Sequence, residues 1–329
     1  MRLLAALVAA VAIVPAATAA PQIGGFGVRP AHFDPKVPAT RAYFIHTVKP
    51  GSTFQDQIAV TSSDRQPLEL YVYPVDGLTG ETSGAVYGNR GARLAETGRW
   101  LTPKLSHLTV PAGKTVLVPF KVVVPRAATP GDHLAGLAFQ RVDAGKSKGT
   151  FSVTQVLRAV VGVLIRVPGK ATFQPHLSSL GLKSVAGTNV ASVLVGLGDA
   201  GRKLGKTKLT VALKGPDGYA KTVGRRLDTI LPGDHIHYPL VWPDTLAPGT
   251  YSVSATATGG AQPVSFHSRV ALGHKLTGSV TVPAPAAAAT SHTGLPWWTL
   301  IAALAAGVLL AVGFARVRSH RPHTSVADE

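Results

Sequence analysis

The 329-residue chain contains no cysteine, and this absence excludes several kinds of site. Without thiols there are no disulfides, no cysteine nucleophile and no thiolate ligands for a metal. Stability must then come from the burial of apolar side chains, for which domains of about 120 to 140 residues are large enough. The sequence is therefore unlike that of a small extracellular domain held together by disulfides.

Acidic residues are also scarce, which limits the catalytic chemistry that the chain can offer. Asp and Glu together number 16, against 33 Lys and Arg, and no two of them suggest an acid–base pair. Asp76 and Glu81 flank a long loop, where we expect them in a solvated turn. The chain also lacks the H-E-x-x-H pattern of zinc proteases and the Walker A pattern of nucleotide-binding loops. We therefore expect a protein that is not an enzyme and that has no metal and no other cofactor.

Both ends of the sequence carry apolar segments typical of membrane targeting. In residues 1–19, Arg2 precedes an apolar run that ends in an Ala-x-Ala cleavage motif, as in a signal peptide. Residues 297–315 are almost wholly apolar and long enough to cross a bilayer as one helix, with tryptophans at one end and arginines after the other. We therefore expect a single-pass protein of the cell membrane with extracellular N-terminal domains. Residues 316–329 would form a basic cytoplasmic tail, and the Pro/Ala/Thr-rich residues 283–296 a stalk.

Between these ends, strand-forming runs alternate with Pro-Gly turns. The turn Pro111-Ala112-Gly113 leads into a β-branched run, and Thr129-Pro130-Gly131 leads into a second one. Pro119 interrupts the first run and predicts that this strand lies at a sheet edge or is bulged. Pro232-Gly233 and Pro248-Gly249 repeat the same order of turns about 120 residues later.

This repeat predicts an all-β protein made of two tandem immunoglobulin-like β-sandwich domains, followed by a single C-terminal transmembrane helix. The first domain is expected at residues 26–168 and the second at residues 169–282. Within the first domain, residues 75–98 show little regular pattern. We interpret them as a long loop of the kind that often carries function.

Four motifs of the first domain resemble those of the WxL-interacting proteins of Gram-positive bacteria. These motifs are Lys49-Pro50-Gly51 before a strand, the run from Tyr71 to Gly77 (YVYPVDG), Trp100 after the loop, and the turn from Ala128 to His133 (ATPGDH). The order of parts, from signal peptide to basic tail, is similar as well. The resemblance implies an immunoglobulin-like first domain that binds peptidoglycan and a second domain that binds a partner surface protein. It implies no catalytic residue.

Aromatic residues around the long loop are the candidate glycan-binding residues. Sugars bind exposed rings because their C–H groups stack on the aromatic face, while nearby polar groups bond to the hydroxyls. Tyr71 and Tyr73 share one face of an expected strand, and Tyr87 and Trp100 lie in or beside the loop. A place in the core is the competing interpretation for Trp100.

Basic residues of the second domain form a second candidate site. The chain has a formal net charge of +17, and Arg202, Lys203, Lys206 and Lys208 lie in one expected hairpin. In an extracellular domain, the expected counter-charge is an anionic wall polymer or lipid headgroup rather than a nucleic acid. An ordinary solvated surface is the competing interpretation.

These features together predict a non-enzymatic, membrane-anchored protein of the cell surface. It would bind the cell wall through peptidoglycan or an anionic wall polymer, bind a partner surface protein, or do both. The alternative is a chaperone-like or accessory subunit that presents a sheet edge to a strand of its partner. The two hypotheses differ in what they require, because the alternative needs an exposed apolar edge strand whereas a wall binder needs a groove of aromatic and polar residues. The apolar run from Leu157 to Val167 is the candidate for such an edge.

Overall fold

The structure is a computed structural model that describes residues 25–142, 145–146 and 154–279. The signal peptide predicted at residues 1–19 lies outside these residues. So do the stalk, the transmembrane helix and the tail predicted between residues 283 and 329. In the part of the chain that is described, no helix is long and apolar enough to cross a membrane.

The prediction of an all-β protein is confirmed, since the described residues form nineteen strands, three short 3-10 turns and no α-helix. The 3-10 turns are Pro38–Arg41, Thr97–Trp100 and Pro216–Gly218. The strands, in chain order, are β1 (Phe26–Pro30), β2 (Phe44–Thr47), β3 (Thr53–Ser62), β4 (Leu68–Thr79), β5 (Ala85–Tyr87), β6 (Leu101–Pro103), β7 (His107–Val110), β8 (Thr115–Val123), β9 (Gly131–Arg141), β10 (Gly145–Lys146), β11 (Thr154–Gln155), β12 (Arg158–Val167), β13 (Pro175–Ser184), β14 (Ala191–Asp199), β15 (Gly205–Lys214), β16 (Ala220–Ile230), β17 (His235–Val241), β18 (Gly249–Thr258) and β19 (Val264–Leu272).

The first β-sandwich packs a four-stranded sheet against a six-stranded one. The four-stranded sheet has the order β1-β3-β8-β6; the other runs β2-β12-β9-β4-β5, with β7 also paired to β4. All these pairs are antiparallel except β12 with β2, which run parallel over Val163–Arg166. Side chains alternate between the two faces of each strand, so Leu68, Leu70 and Val72 of β4 point into the core while Tyr71 and Tyr73 point outward.

The second β-sandwich has seven strands in two sheets. Strands β13-β14-β17 form the smaller sheet, and β16-β15-β18-β19 form the larger one. Its core is a separate apolar cluster that includes the fully buried Trp242, whose indole N–H donates to the Tyr219 hydroxyl at 2.7 Å. Each sandwich thus encloses its own core.

Pro119 lies at an exposed stretch of sheet edge, as the sequence predicts. Strand β6 pairs with β8 only over Val122 to Phe120, one residue short of Pro119. The Pro119 carbonyl points to this side and accepts the Lys104 N–H at 3.0 Å. The missing N–H of the proline therefore faces the edge, where it removes no hydrogen bond from the β3–β8 ladder.

The repeated Pro-Gly turns occupy equivalent places in the two sandwiches. Gly131 begins β9 and Gly249 begins β18, and each of these strands lies between two neighbours in its sheet. Their φ angles are 138° and 149°, a region that only glycine adopts readily. Gly113 and Gly233, at φ 65° and 79°, precede β8 and β17 in the same way. The sequence repeat therefore reflects one pair of strands used twice.

The glycine requirement at these turns can be tested at Gly249. A Cβ at this position would also meet the ring of Pro216. We expect Gly249→Ala to destabilise the second sandwich by about 1–3 kcal/mol, the usual cost of a disfavoured backbone conformation. Thermal unfolding followed by circular dichroism measures this change. Gly181→Ala is the matched control because a Cβ there has no neighbour within 4 Å, and equal melting of the two variants would contradict the requirement.

Candidate functional site

Tyr71 and Tyr73 lie half-exposed on the outer face of the six-stranded sheet, and both already have partners. The Arg90 guanidinium sits over the Tyr71 ring, 3.4 Å from its centroid, and the His107 ring contacts its edge at 4.8 Å. The Tyr73 hydroxyl donates to Gln140 Oε1 at 2.7 Å. These contacts assemble a patch of aromatic, basic and amide groups, which is the chemistry that a glycan-binding surface uses.

Tyr87 has a different environment, because it lies across two glycines of the sheet. A Cβ on Gly136 would lie 3.0 Å from the Tyr87 ring, and one on Gly162 would meet its hydroxyl. Burial raises the pKa of Tyr87 to about 12. Arg158 reinforces this position by donating to the carbonyl of Gly88 at 2.6 Å and to that of Tyr87 at 3.2 Å. Tyr87 therefore covers the outer face of the sheet.

The long loop is more ordered than its sequence indicates, and the reason is Asp76. Strand β4 continues to Thr79 and pairs with β5, and Asp76 is 8% exposed within it. Its carboxylate accepts the N–H groups of Ala95 at 2.7 Å, Glu96 at 3.1 Å and Gly98 at 2.6 Å. The expectation of a solvated turn at Asp76 is therefore wrong: this carboxylate fastens the end of the loop to the sheet.

Trp100 lies away from the two tyrosines. Its ring contacts His133 at 4.8 Å and packs partly on the core, whereas Tyr71 pairs with Gln140 at the other end of β9. Seven residues of strand separate His133 from Gln140, or about 23 Å at the usual rise. The four candidate aromatic residues therefore do not form one site, and only Tyr71 and Tyr73 are neighbours on a surface.

A polar cleft of about 350 Å³ lies between the two sandwiches. Asp132 of β9 accepts the Leu204 N–H at 3.2 Å and donates its own N–H to the Arg202 carbonyl at 2.8 Å. Asp234 accepts the Thr79 N–H at 2.6 Å from the opposite direction. Each carboxylate thus binds the backbone of the other sandwich. Both aspartates stand in the same local sequence, Pro-Gly-Asp-His, at residues 130–133 and 232–235.

The four candidate basic residues are distributed over different environments. Arg202 contributes its backbone to the cleft, and Lys203 is exposed beside it. Lys206 forms an ion pair with Asp228 at 2.7 Å, and this hydrogen bond raises the pKa of the Lys206 ammonium. Lys208 projects from the outer face of β15 without an acidic residue opposite it. Of the four, Lys208 offers an unneutralised charge on a broad sheet surface.

A short glycine pattern at residues 196–201 has the G-x-G-x-x-G spacing of dinucleotide-binding loops, but not their structure. The segment ends β14 and leads into strand β15, so no helix begins there to receive a phosphate. Its Asp199 is buried, which raises the pKa of that carboxyl, and it accepts the N–H groups of Gln174 and Gly201. The pattern therefore forms a closed turn between strands.

Among the described residues, the outer edge of β12 is paired over only part of its length. Strand β2 pairs only with Val163–Arg166. Within residues 25–142, 145–146 and 154–279, no strand pairs with the outer edge of residues 158–162. Just before them, the side chains of Val156 and Leu157 are 54% and 36% exposed. The predicted apolar strand therefore exists; its second half is paired with β2, and its first half has no strand beside it within the described part of the chain.

Comparison with known proteins gives a distant structural likeness. No protein-family model matches the chain, and no curated protein matches it. The CsuC–CsuE chaperone–tip adhesion subunit complex of Acinetobacter baumannii aligns at 10% identity over 75% of this chain and 98% of that one, with a TM-score of 0.36. The Pseudomonas aeruginosa CupB2 chaperone aligns at 12% identity over 70% and 97%, with a TM-score of 0.32.

The E. coli chaperone DraB is similar at the same level, with 10% identity over 74% of this chain and 97% of that one and a TM-score of 0.33. At such scores the likeness does not assign a function to this chain. None of these comparisons bears on the resemblance to WxL-interacting proteins, which stays a prediction.

The position of Tyr87 can be tested through the glycine beneath it. In Gly162→Ala, the added methyl group meets the Tyr87 hydroxyl, so we expect the ring to be displaced into water and its pKa to fall from about 12 towards its ordinary value. Overpacking of this kind also costs about 1–3 kcal/mol of stability. Alkaline titration of tyrosine absorbance measures the pKa. Gly27→Ala, in an open position of the same sandwich, should leave the titration unchanged. An unchanged titration in Gly162→Ala would contradict the proposed cover.

Proposed function

We propose that this protein is a non-enzymatic, chaperone-like or accessory protein that offers the free edge of β12 to an extended segment of a partner protein. The observation that carries this proposal is the register of β2, which leaves residues 158–162 without a neighbour on one side among the described residues. An open strand edge presents unpaired backbone groups that an incoming strand can satisfy.

The direction of the backbone groups along β12 identifies the residues that would bind. The Arg166 carbonyl accepts the Val48 N–H on the β2 side, while the Leu157 carbonyl accepts the Arg141 N–H on the β9 side. Because these directions alternate along a strand, Arg158 and Val160 point their N–H and C=O groups to the open edge. Gly162 points the same way but is buried where the pairing with β2 begins. Arg158 and Val160 therefore accommodate a short strand of partner backbone.

Within the described residues, the edge also lacks the usual protection against strand addition. Natural edges are commonly blocked by lysines, by proline or by a bulge, as Pro119 blocks the edge of β8. Residues 159–162 are Ala-Val-Val-Gly, and Val156 and Leu157 leave apolar surface exposed beside them. The side chain of Arg158 is engaged with the carbonyls of residues 87 and 88. Burial of this apolar surface would add to the backbone hydrogen bonds of an incoming strand.

Proline substitution tests the edge without breaking the sheet. Val160→Pro removes one outward N–H and leaves the β12–β9 ladder intact, so it should weaken strand addition by up to about tenfold, the value of one hydrogen bond. The ligand is a synthetic peptide in which Val and Thr alternate. Its binding is measured by titration and by slowed amide exchange at Arg158 and Val160 of the unsubstituted protein.

Leu117→Pro is the matched control, because Leu117 also points its N–H to a sheet edge, on β8 of the same sandwich. It should bind the peptide like the unsubstituted protein. If Val160→Pro binds equally well, or if the peptide slows exchange only at other strands, the β12 edge is not the binding site.

The second candidate is the membrane-anchored scaffold that binds peptidoglycan, with the second sandwich contacting a surface protein. The specific observation in its favour is the patch of Tyr71, Arg90, His107 and Tyr73 on one exposed sheet face. A sugar ring could replace the Arg90 guanidinium on the Tyr71 face, since both stack on an aromatic surface.

Alanine substitution separates ring stacking from general charge attraction at this patch. Tyr71→Ala with Tyr73→Ala should reduce sedimentation with purified peptidoglycan several-fold even at high salt, because exposed charges are screened over about 8 Å at physiological ionic strength while stacking persists. Phe33→Ala is the matched control, as Phe33 is an exposed ring of the same sandwich with Arg41 over it at 4.8 Å. Normal sedimentation of the tyrosine variant would exclude this patch.

A further inference from the structure

The outer face of the larger sheet in the second sandwich has an unusual composition. The strand registers place its outward residues in four rows across β16, β15, β18 and β19. The rows, which we call the hydroxyl face, are Arg226, Lys208 and Thr258; Gly224, Thr210, Thr256 and Ser265; Thr222, Ala212, Ser254 and His267; and Ala220, Lys214, Ser252 and Arg269. Seven of these fifteen positions are Ser or Thr, four are Lys or Arg, and none is acidic or a large apolar residue.

The two kinds of polar residue are segregated on this face. The two middle rows contain only short side chains apart from His267, and the hydroxyls of Thr256 and Ser265 lie 3.0 Å apart. The cations Lys208 and Arg226 occupy one end row, and Lys214 and Arg269 the other. Four rows span about 20 Å along the strands and four strands about 14 Å across them. The result is a shallow floor of hydroxyl groups with positive charge at both ends.

The outer face of β3 and β8 in the first sandwich differs in its arrangement. There, Thr53, Thr61 and Thr115 are interspersed with Leu117, Val123 and two glutamines, and Lys121 is the one cation of these two strands on that face. On the hydroxyl face, all four long basic side chains are exposed. Lys206, by contrast, lies beyond the first row and is neutralised by Asp228.

We propose that the hydroxyl face binds a phosphodiester-linked polyol polymer. Such a chain carries anionic phosphates separated by short hydroxyl-rich units, so its phosphates can meet the cations of the end rows while its polyol units bond to the serines and threonines between them. A chain with a net charge of +17 attracts polyanions of any kind. The serines and threonines of the hydroxyl face favour a polyanion whose phosphates are separated by polyol units.

This proposal deepens the wall-binding candidate by naming a polymer class and a surface on the other sandwich. It does not depend on Tyr71 or on the edge of β12. Failure to bind peptidoglycan through the tyrosine patch therefore leaves it standing. Conversely, if the polymer does not bind the hydroxyl face, the proposal of strand addition at β12 in the first sandwich is unaffected.

The test uses poly(glycerol phosphate) as the ligand and the full-length protein in titrations at several salt concentrations. Lys208→Gln with Lys214→Gln should weaken binding at least about tenfold at low salt and reduce the dependence of affinity on salt, because fewer counterions are released. Lys104→Gln with Lys121→Gln, two exposed lysines of the first sandwich, should change the affinity less than twofold. Equal losses in the two double variants would reduce the effect to net charge and overturn the proposal.

A second test removes hydroxyl groups from the hydroxyl face without changing side-chain shape, and so tests the polyol contacts apart from the charges. Thr210→Val with Thr256→Val keeps the β-branched side chains and the charge, and should weaken polymer binding by about two- to tenfold for each hydrogen bond lost, with an unchanged salt dependence. Thermal unfolding confirms that both variants are folded. Vesicles of phosphatidic acid, whose headgroup carries phosphate but no polyol, distinguish the polymer from a lipid headgroup, since the valine variant should bind them like the unsubstituted protein. Polymer binding unaffected by the valines, or vesicle binding as tight as polymer binding, overturns the proposal.

Discussion

The contact between the two sandwiches depends on carboxylates that bind backbone N–H groups across it. Asp132 of the first sandwich binds the Leu204 N–H, and Asp234 of the second binds the Thr79 N–H. A buried N–H without a partner costs about 1–3 kcal/mol. Each sandwich therefore supplies a hydrogen-bond acceptor to a backbone N–H of the other. The Thr79 hydroxyl adds a third such bond by accepting the Leu231 N–H at 2.9 Å. Because these partners are backbone groups of turns, the contact fixes the turns as well as the domains.

The long loop of the first sandwich is held by three sets of contacts, one of which is with the second sandwich. Asp76 holds its far end, Tyr87 covers the sheet, and the turn between them contacts the second sandwich. In that turn, the Ser83 hydroxyl accepts the Asp228 N–H at 2.9 Å, and the Gly84 N–H donates to the Thr229 carbonyl at 2.9 Å. A segment whose length suggests a mobile binding loop is thus used for cover and for domain contact. Its one outward-facing contribution to a candidate site is Arg90, on the ring of Tyr71.

Sequence reasoning succeeded where the physical cause is local. The alternation in Leu68, Tyr71 and their neighbours predicts which face is buried, since the period of a strand is two. Pro119 predicts an edge because a missing N–H cannot be accommodated inside a ladder. The Pro-Gly repeat predicts the paired strands of the two sandwiches because a positive φ is a property of the glycine itself.

The same reasoning failed where the cause is a pairing of distant residues. Asp76 binds N–H groups about twenty positions away, and nothing near it in sequence distinguishes it from a solvated turn residue. Gly136 and Gly162 resemble ordinary strand glycines until Tyr87 is placed over them. The four basic residues chosen by proximity also separate, because Asp228 neutralises Lys206, while Arg202 and Lys203 precede β15. Lys214, Arg226 and Arg269 share the face of Lys208 instead, and only the strand registers show this.

The two surfaces that result use different physics, and this difference limits what each can recognise. The β12 edge offers backbone groups, which are identical in every protein, so its selectivity must come from the apolar surface beside it and from the length of the free segment. The hydroxyl face presents a fixed array of side chains, so the proposed polymer would be selected by the spacing of its charged and hydroxyl groups. Under the two proposals, a single chain would hold an extended protein segment while it is attached to a charged polymer. Because the contacts of Asp132, Thr79 and Asp234 join the two sandwiches, both activities would be carried on one connected body.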